Sequence, residues 1–170
     1  MIQCYYGNGK GKTTSAIGSV IRCVGCGQKV LFVGFLKDID SAEFKVLESL
    51  ESVDLLFSDE HYNLFDNYKP ELTPKFKKAY TTLLFGETKT IAGDYQMIVL
   101  DEILDAVEFG YIEKRDFIKL LGEWNFGGEV ILTGHKLPDD ILRLCSYVSE
   151  VREVIHPYTK GISSRKGIEF

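Results

Sequence analysis

Apolar positions along the chain fall into short unbroken runs separated by stretches with helical spacing. Ile2–Tyr6, Lys29–Phe35 (KVLFVGF), Val53–Phe57, Met97–Leu100, Glu129–Thr133 and Val148–Ile155 read as strands. Between them, Thr13–Val24, Ser41–Glu51, Thr73–Ala92, Glu113–Trp124 and Pro138–Cys145 read as helices. In the second of these, Phe44, Leu47 and Leu50 share one face and Ser41 is placed to cap the first turn. Pro138 lies near the first position of the last helix, where proline is tolerated. Strands without polar alternation are buried on both faces, which is the habit of a parallel sheet covered by helices. Repeated strand–helix–strand order implies right-handed crossovers. The expected fold is α/β, three layers with a mostly parallel central sheet, formed by residues 1–170 as one domain. The longest stretch outside this rhythm runs from about Ser58 to Leu72, and a loop of that length calls for a functional reason.

The first strand leads into Tyr6-Gly7-Asn8-Gly9-Lys10-Gly11-Lys12-Thr13-Thr14, and a helix leads out. Strand, glycine-rich turn, Lys-Thr-Thr and helix form a phosphate-binding loop. Glycines let backbone N–H groups wrap an anion, and the helix N-terminus adds partial positive charge. Lys12 can reach polyphosphate oxygens and Thr13 can offer its hydroxyl to a phosphate-bound Mg²⁺. The usual spacing, G-x-x-x-x-G-K-[ST], would put glycine at position 6. Tyr6 stands there, and glycine comes one place later at Gly7. The bland alternative is a glycine-rich turn with two exposed lysines. The agreement of all four parts favours a nucleoside triphosphate site and a P-loop NTPase type of fold.

Met97–Leu100 ends in Asp101-Glu102. In parallel sheets ligands gather at the carboxyl ends of strands, the edge the phosphate loop also occupies. One of these two acids, with Thr13, is therefore expected to hold the metal, directly or through water. Thr133-Gly134-His135 closes the next strand on the same edge, where it either contacts phosphates or is an ordinary turn.

Composition narrows the classes. The chain has 170 residues, 45% hydrophobic and 26% charged, with net charge −5. An acidic chain of this kind is not a general nucleic-acid binder. No apolar run approaches the ~18 residues of a membrane span. Met1 leads straight into a strand, so a signal peptide is not expected and a cytoplasmic location is. The four cysteines, Cys4, Cys23, Cys26 and Cys145, are then reduced thiols. Cys23-Val24-Gly25-Cys26 lacks a second ligand pair and reads as packing at a helix C-terminus.

Together these pieces resemble the P-loop ATP:corrinoid adenosyltransferases, cytoplasmic bacterial enzymes that make adenosylcobalamin. The loop from Gly7 to Thr14, with its displaced first glycine, resembles that family's variant. So do Val24-Gly25-Cys26-Gly27, Val30–Lys37, Val99-Leu100-Asp101-Glu102-Ile103, Leu132-Thr133-Gly134 and Leu137–Leu144. The tail His156-Pro157-Tyr158, Lys160-Gly161-Ile162 and Lys166-Gly167-Ile168-Glu169-Phe170 is the most telling part. Two stretches depart from the family. Ser58-Asp59-Glu60-His61-Tyr62-Asn63-Leu64-Phe65 replaces its glycine-aromatic-threonine-Trp-Glu-threonine segment, and His135 stands where arginine is usual.

The resemblance implies attack by Co(I) of a corrinoid on the ribose 5′ carbon of ATP, with the whole triphosphate leaving. Lys12, Thr13 and Glu102 are the expected catalytic residues. Gly7, Asn8, Gly9, Lys10, Gly11, Lys12, Thr13 and Thr14 would hold the phosphates. Thr13, Asp101 and Glu102 would hold Mg²⁺ or Mn²⁺. Tyr62 and Phe65, with Tyr68, would shield the corrinoid from water. A reduced flavoprotein would supply electrons, and members are commonly homodimers. The competing functions are a P-loop small-molecule kinase and an ATP-hydrolysing regulatory module. Both would release ADP.

Overall fold

A computed structural model describes residues 1–36, 41–57, 85–86, 88–89, 91–123 and 127–168. Among them are six strands: β1 (Ile2–Tyr6), β2 (Val30–Gly34), β3 (Val53–Leu56), β4 (Met97–Asp101), β5 (Glu129–Gly134) and β6 (Tyr147–Glu150). They form one sheet in the order β3-β2-β4-β5-β1-β6, and all five pairings are parallel. The α-helices whose full extent is described are α1 (Lys12–Gly25), α2 (Ala42–Glu48), α3 (Ile103–Glu108), α4 (Lys114–Glu123) and α5 (Asp139–Leu142). The architecture is the α/β, P-loop type that the apolar runs imply.

Side chains of the inner strands alternate between two cores because successive residues point to opposite faces. Leu31, Val33, Ile98, Leu100, Val130 and Leu132 face one way, against Ile103 and Leu104 of α3 and Phe117 and Leu121 of α4. Val30, Phe32, Met97, Val99 and Ile131 face the other, against Ala16 and Val20 of α1 and Phe44 and Leu47 of α2. Every residue of β2 and β4 is buried. Phe32 is fully buried and meets Phe44 at 5.5 Å between ring centroids. Phe32→Ala should cost about 3–5 kcal/mol of stability, read as a lower denaturation midpoint in urea.

The outer elements depart from the pattern where burial stops. The apolar run Val148–Ile155 does not continue as a strand. β6 ends at Glu150, is exposed throughout, and Val154 and Ile155 stand 88% and 74% exposed. The reason lies in Val151, whose N–H donates to Tyr6 O at 2.7 Å while its carbonyl turns to Gly9. Ser41 precedes α2 but its side chain makes no capping bond. Pro138 is the residue just before α5, near its first position as expected. Much of Thr73–Ala92 lies outside the described residues. Phe85, Gly86, Thr88, Lys89 and Ile91 are helical. Helix α3 has no counterpart in the apolar rhythm, because five of its six residues are buried and it shows no polar face.

The cysteines pack. Cys23 is buried and donates its thiol to Gln28 Oε1 at 3.2 Å, whereas Cys26 caps α1 and is exposed. Cys4 is buried in β1, and its contact with the Cys145 thiol, together with burial, holds its own thiol protonated well above the usual range.

Candidate active site

The site forms at the carboxyl ends of β1, β4 and β5. Tyr6 is still in β1, paired with Gly134 and Glu150. The turn therefore opens at Gly7, with φ +120°, and closes at Gly11, with φ +116°. These values explain the displaced glycine: the left-handed conformation falls at position 7, not 6. A Cβ on Gly7 would also strike the Val151 carbonyl oxygen.

The loop is fastened to the chain that leaves β6. Gly9 N donates to Val151 O at 2.8 Å, Glu153 N donates to Asn8 Oδ1 at 3.1 Å, and Gly7 N donates to Gly134 O at 3.2 Å. The N–H groups of Gly7 and Gly9 thus bond within the protein and shape the loop. A Cβ at Gly9 would lie 2.7 Å from the Arg152 carbonyl carbon and 2.9 Å from Val151 O. Backbone cannot yield as a flexible side chain can, so Gly9→Ala should cost about 1–3 kcal/mol. A lowered melting temperature, with weakened binding of a non-hydrolysable ATP analogue, would register it.

Lys12 is the first residue of α1, and its Nζ donates back to Gly9 O at 3.0 Å. Its ammonium is thereby held over the loop. Thr13 Oγ1 donates to the Asp101 carboxylate, 3.1 Å to Oδ1 and 3.3 Å to Oδ2. Asp101 is fully buried at the end of β4. β4 does not neighbour β1, since β5 lies between them, and Thr133 of β5 bridges the gap. Its hydroxyl donates to Asp101 Oδ1 at 2.6 Å and accepts from Glu102 N at 2.9 Å. Of the two acids, Asp101 meets Thr13. Glu102 turns aside with φ +61° and instead lines a cavity of about 670 Å³ beside Lys10, Gly11, Lys12, Thr13 and Thr14. That volume is in the range of small-ligand pockets, ~300–1,000 Å³.

His135 follows β5. Its backbone N–H lies 3.2 Å from Asp105 Oδ2, and its ring Nδ1 lies 3.1 Å from both Asp105 oxygens. Tyr62, Phe65 and Tyr68, the residues expected at the corrinoid, lie outside the described residues, as do His61 and Lys37. Thr133 as a bridge and Val151–Glu153 as a mooring carried no motif. Asp105 did carry a signal, as a single carboxylate within the apolar run Ile103–Val107.

The family model described as "ATP:corrinoid adenosyltransferase BtuR/CobO/CobP" matches residues 1–170. The chain belongs to this family. Among curated relatives, the corrinoid adenosyltransferase of Escherichia coli K12 is 30% identical over 173 residues, covering 100% of this chain and 85% of that protein. Corrinoid adenosyltransferase CobA of Salmonella typhimurium LT2 is 31% identical over the same shares. A Sinorhizobium corrinoid adenosyltransferase is 26% identical over 96% of this chain and 77% of its own length. No helix among the described residues of this family member is long and apolar enough to cross a membrane.

Proposed function

We propose that this chain, acting as a single cytoplasmic nucleotide-binding domain, transfers the 5′-deoxyadenosyl group of ATP to Co(I) of a corrinoid and releases tripolyphosphate. A cobalt electron pair forms the bond to the ribose 5′ carbon. The bond from that carbon to the α-phosphate oxygen breaks, and its pair leaves on the oxygen. No proton is moved, so no general base is required.

The observation that carries this reading is the joining of Thr13, Asp101 and Thr133 beneath a loop that holds Lys12, in a member of this family. Charge grows along the departing polyphosphate, and groups fixed in advance around it stabilise the transition state without reorganising. Lys12 and Lys10 supply ammonium charge, and the turn between Gly7 and Thr14 supplies the cradle. Mg²⁺ or Mn²⁺ would be held by Thr13 with Asp101, with Glu102 within reach from the cavity wall, and would neutralise phosphate charge there. The Thr13–Asp101 spacing of 3.1 Å fits two oxygens on one octahedral ion at about 2.1 Å each.

A second groove of about 850 Å³ meets the loop at Lys10 and is lined by apolar residues such as Val154, Ile155 and Ile162 together with the charged Arg152, Glu153 and Arg165. It gives room beside the phosphates for a bulky substrate with both apolar and polar parts. Reduced flavoprotein as electron donor and a homodimeric state complete the reading. Its test is anaerobic incubation with ATP, Mg²⁺ and chemically reduced cobalamin. Loss of Co(I) absorbance with stoichiometric tripolyphosphate supports it. ADP as the nucleotide product, or an unchanged Co(I) spectrum, rejects it.

A further inference from the structure

One buried hydroxyl is shared by both acids at the end of β4. Thr133 is 1% exposed. Its Oγ1 donates to Asp101 Oδ1 at 2.6 Å and accepts from Glu102 N at 2.9 Å. The pairing of β4 with β5 runs from Met97 opposite Glu129 to Leu100 opposite Leu132, whereas β4 stays paired with β2 as far as Asp101 opposite Gly34. One step past the last rung between β4 and β5, the Thr133 side chain therefore takes the place of backbone pairing. A hydroxyl carries one hydrogen and two lone pairs. The hydrogen goes to the carboxylate, and a lone pair receives the amide.

An aspartate carboxylate turns easily, because its terminal torsion has only broad preferences. Thr13 does not choose between the two oxygens, lying 3.1 Å from Oδ1 and 3.3 Å from Oδ2. Thr133 does choose. Its contact falls on Oδ1, at a length within the ~2.5–2.7 Å of charge-assisted O–H···O⁻ bonds. The same hydroxyl holds the Glu102 N–H while Glu102 stands at φ +61°, a left-handed conformation uncommon outside glycine. From there Glu102 lines the phosphate cavity. One side chain thus fixes the rotation of one acid and the backbone placement of the other. Partners that hold metal ligands in this way are worth about 10–100-fold in metal affinity.

We propose that Thr133 is a positioning residue of the nucleotide site, whose hydroxyl presets Asp101 and Glu102 for the divalent ion that accompanies the triphosphate. The proposal rests on the reading that Thr13 and Asp101 hold that ion. Thr133→Ser and Thr133→Ala both lose the buried methyl and differ only in the hydroxyl, so their comparison sets packing aside. Calorimetry measures the affinity of each for a non-hydrolysable ATP analogue, first with EDTA and then with saturating Mn²⁺. The ratio of the two affinities isolates what the ion adds. That ratio should fall about tenfold in Thr133→Ala and stay within about threefold of the parent in Thr133→Ser, with metal-free affinity within about threefold in both. Should Thr133→Ala fold poorly by circular dichroism, Thr133→Val restores the volume without the hydroxyl and should show the same fall. Equal ratios in the hydroxyl-bearing and hydroxyl-free variants would overturn the proposal. So would a metal-free affinity that falls in step with the metal-bound one, the mark of a general loss of structure. A parent whose affinity gains nothing from Mn²⁺ would instead remove the metal assignment of Thr13 and Asp101, and this proposal with it.

Discussion

Lys12→Ala is expected to slow adenosyl transfer by roughly 10²–10³-fold, the scale on which one preorganised charge-stabilising donor matters. The ammonium already stands over the loop, 3.0 Å from Gly9 O, so little reorganisation is needed to engage the polyphosphate. Its contribution grows as negative charge accumulates on the leaving oxygen. The loss should therefore appear mainly in kcat, with a smaller change in KM for ATP. Stability should barely move, because the side chain is partly solvated and makes one bond to a loop carbonyl. Initial rates of Co(I) disappearance measure the effect. A variant within threefold of the parent would show that the loop does not stabilise the departing phosphates.

Asp101→Asn comes second, with an expected loss of about 10²-fold at saturating ATP and a higher magnesium requirement. The amide keeps the shape and one acceptor oxygen, so Thr13 and Thr133 can still donate to it. What disappears is the negative charge next to the Thr13 hydroxyl. Asp101→Ala is the harsher comparison. It removes the acceptor of the buried Thr133 hydroxyl and of the partly buried Thr13 hydroxyl, and should cost a further ~1–3 kcal/mol of stability. Rate against Mg²⁺ concentration separates the roles. If the magnesium dependence of Asp101→Asn matches the parent, Asp101 is a structural acid and Glu102 becomes the leading metal ligand.

Much of this was legible in the residues alone, for identifiable reasons. The inner strands carry unbroken apolar runs because both faces are covered, and those runs fixed the parallel sheet. The loop could be read because positive φ at Gly7 and Gly11 and the Lys-Thr pair have few other uses in that order. The site's internal wiring was less accessible. That Asp101, not Glu102, meets Thr13 depends on β5 lying between β1 and β4, a matter of strand order that local pattern does not encode. Thr133 looked like a common strand end until its hydroxyl was found between Asp101 and Glu102. The segment leaving β6 looked like more strand because Val154 and Ile155 are apolar, whereas its backbone is committed to Gly9 and Tyr6. The pairing of Asp105 with His135 joins residues thirty positions apart that no spacing rule connects.

The strand order also sets a schedule. β1 is made first, but its two neighbours in the sheet are β5 and β6, with Ile2 opposite Val130 and Gln3 opposite Tyr147. Contacts so distant along the chain form slowly, since a long segment must be closed before they give any return. The phosphate cradle must wait in addition for Val151 and Glu153, which fasten Gly9 and Asn8. During synthesis the nucleotide motif therefore emerges well before the segments that fasten it, and gains a working grip on ATP only after β5, β6 and Val151–Glu153 have left the ribosome.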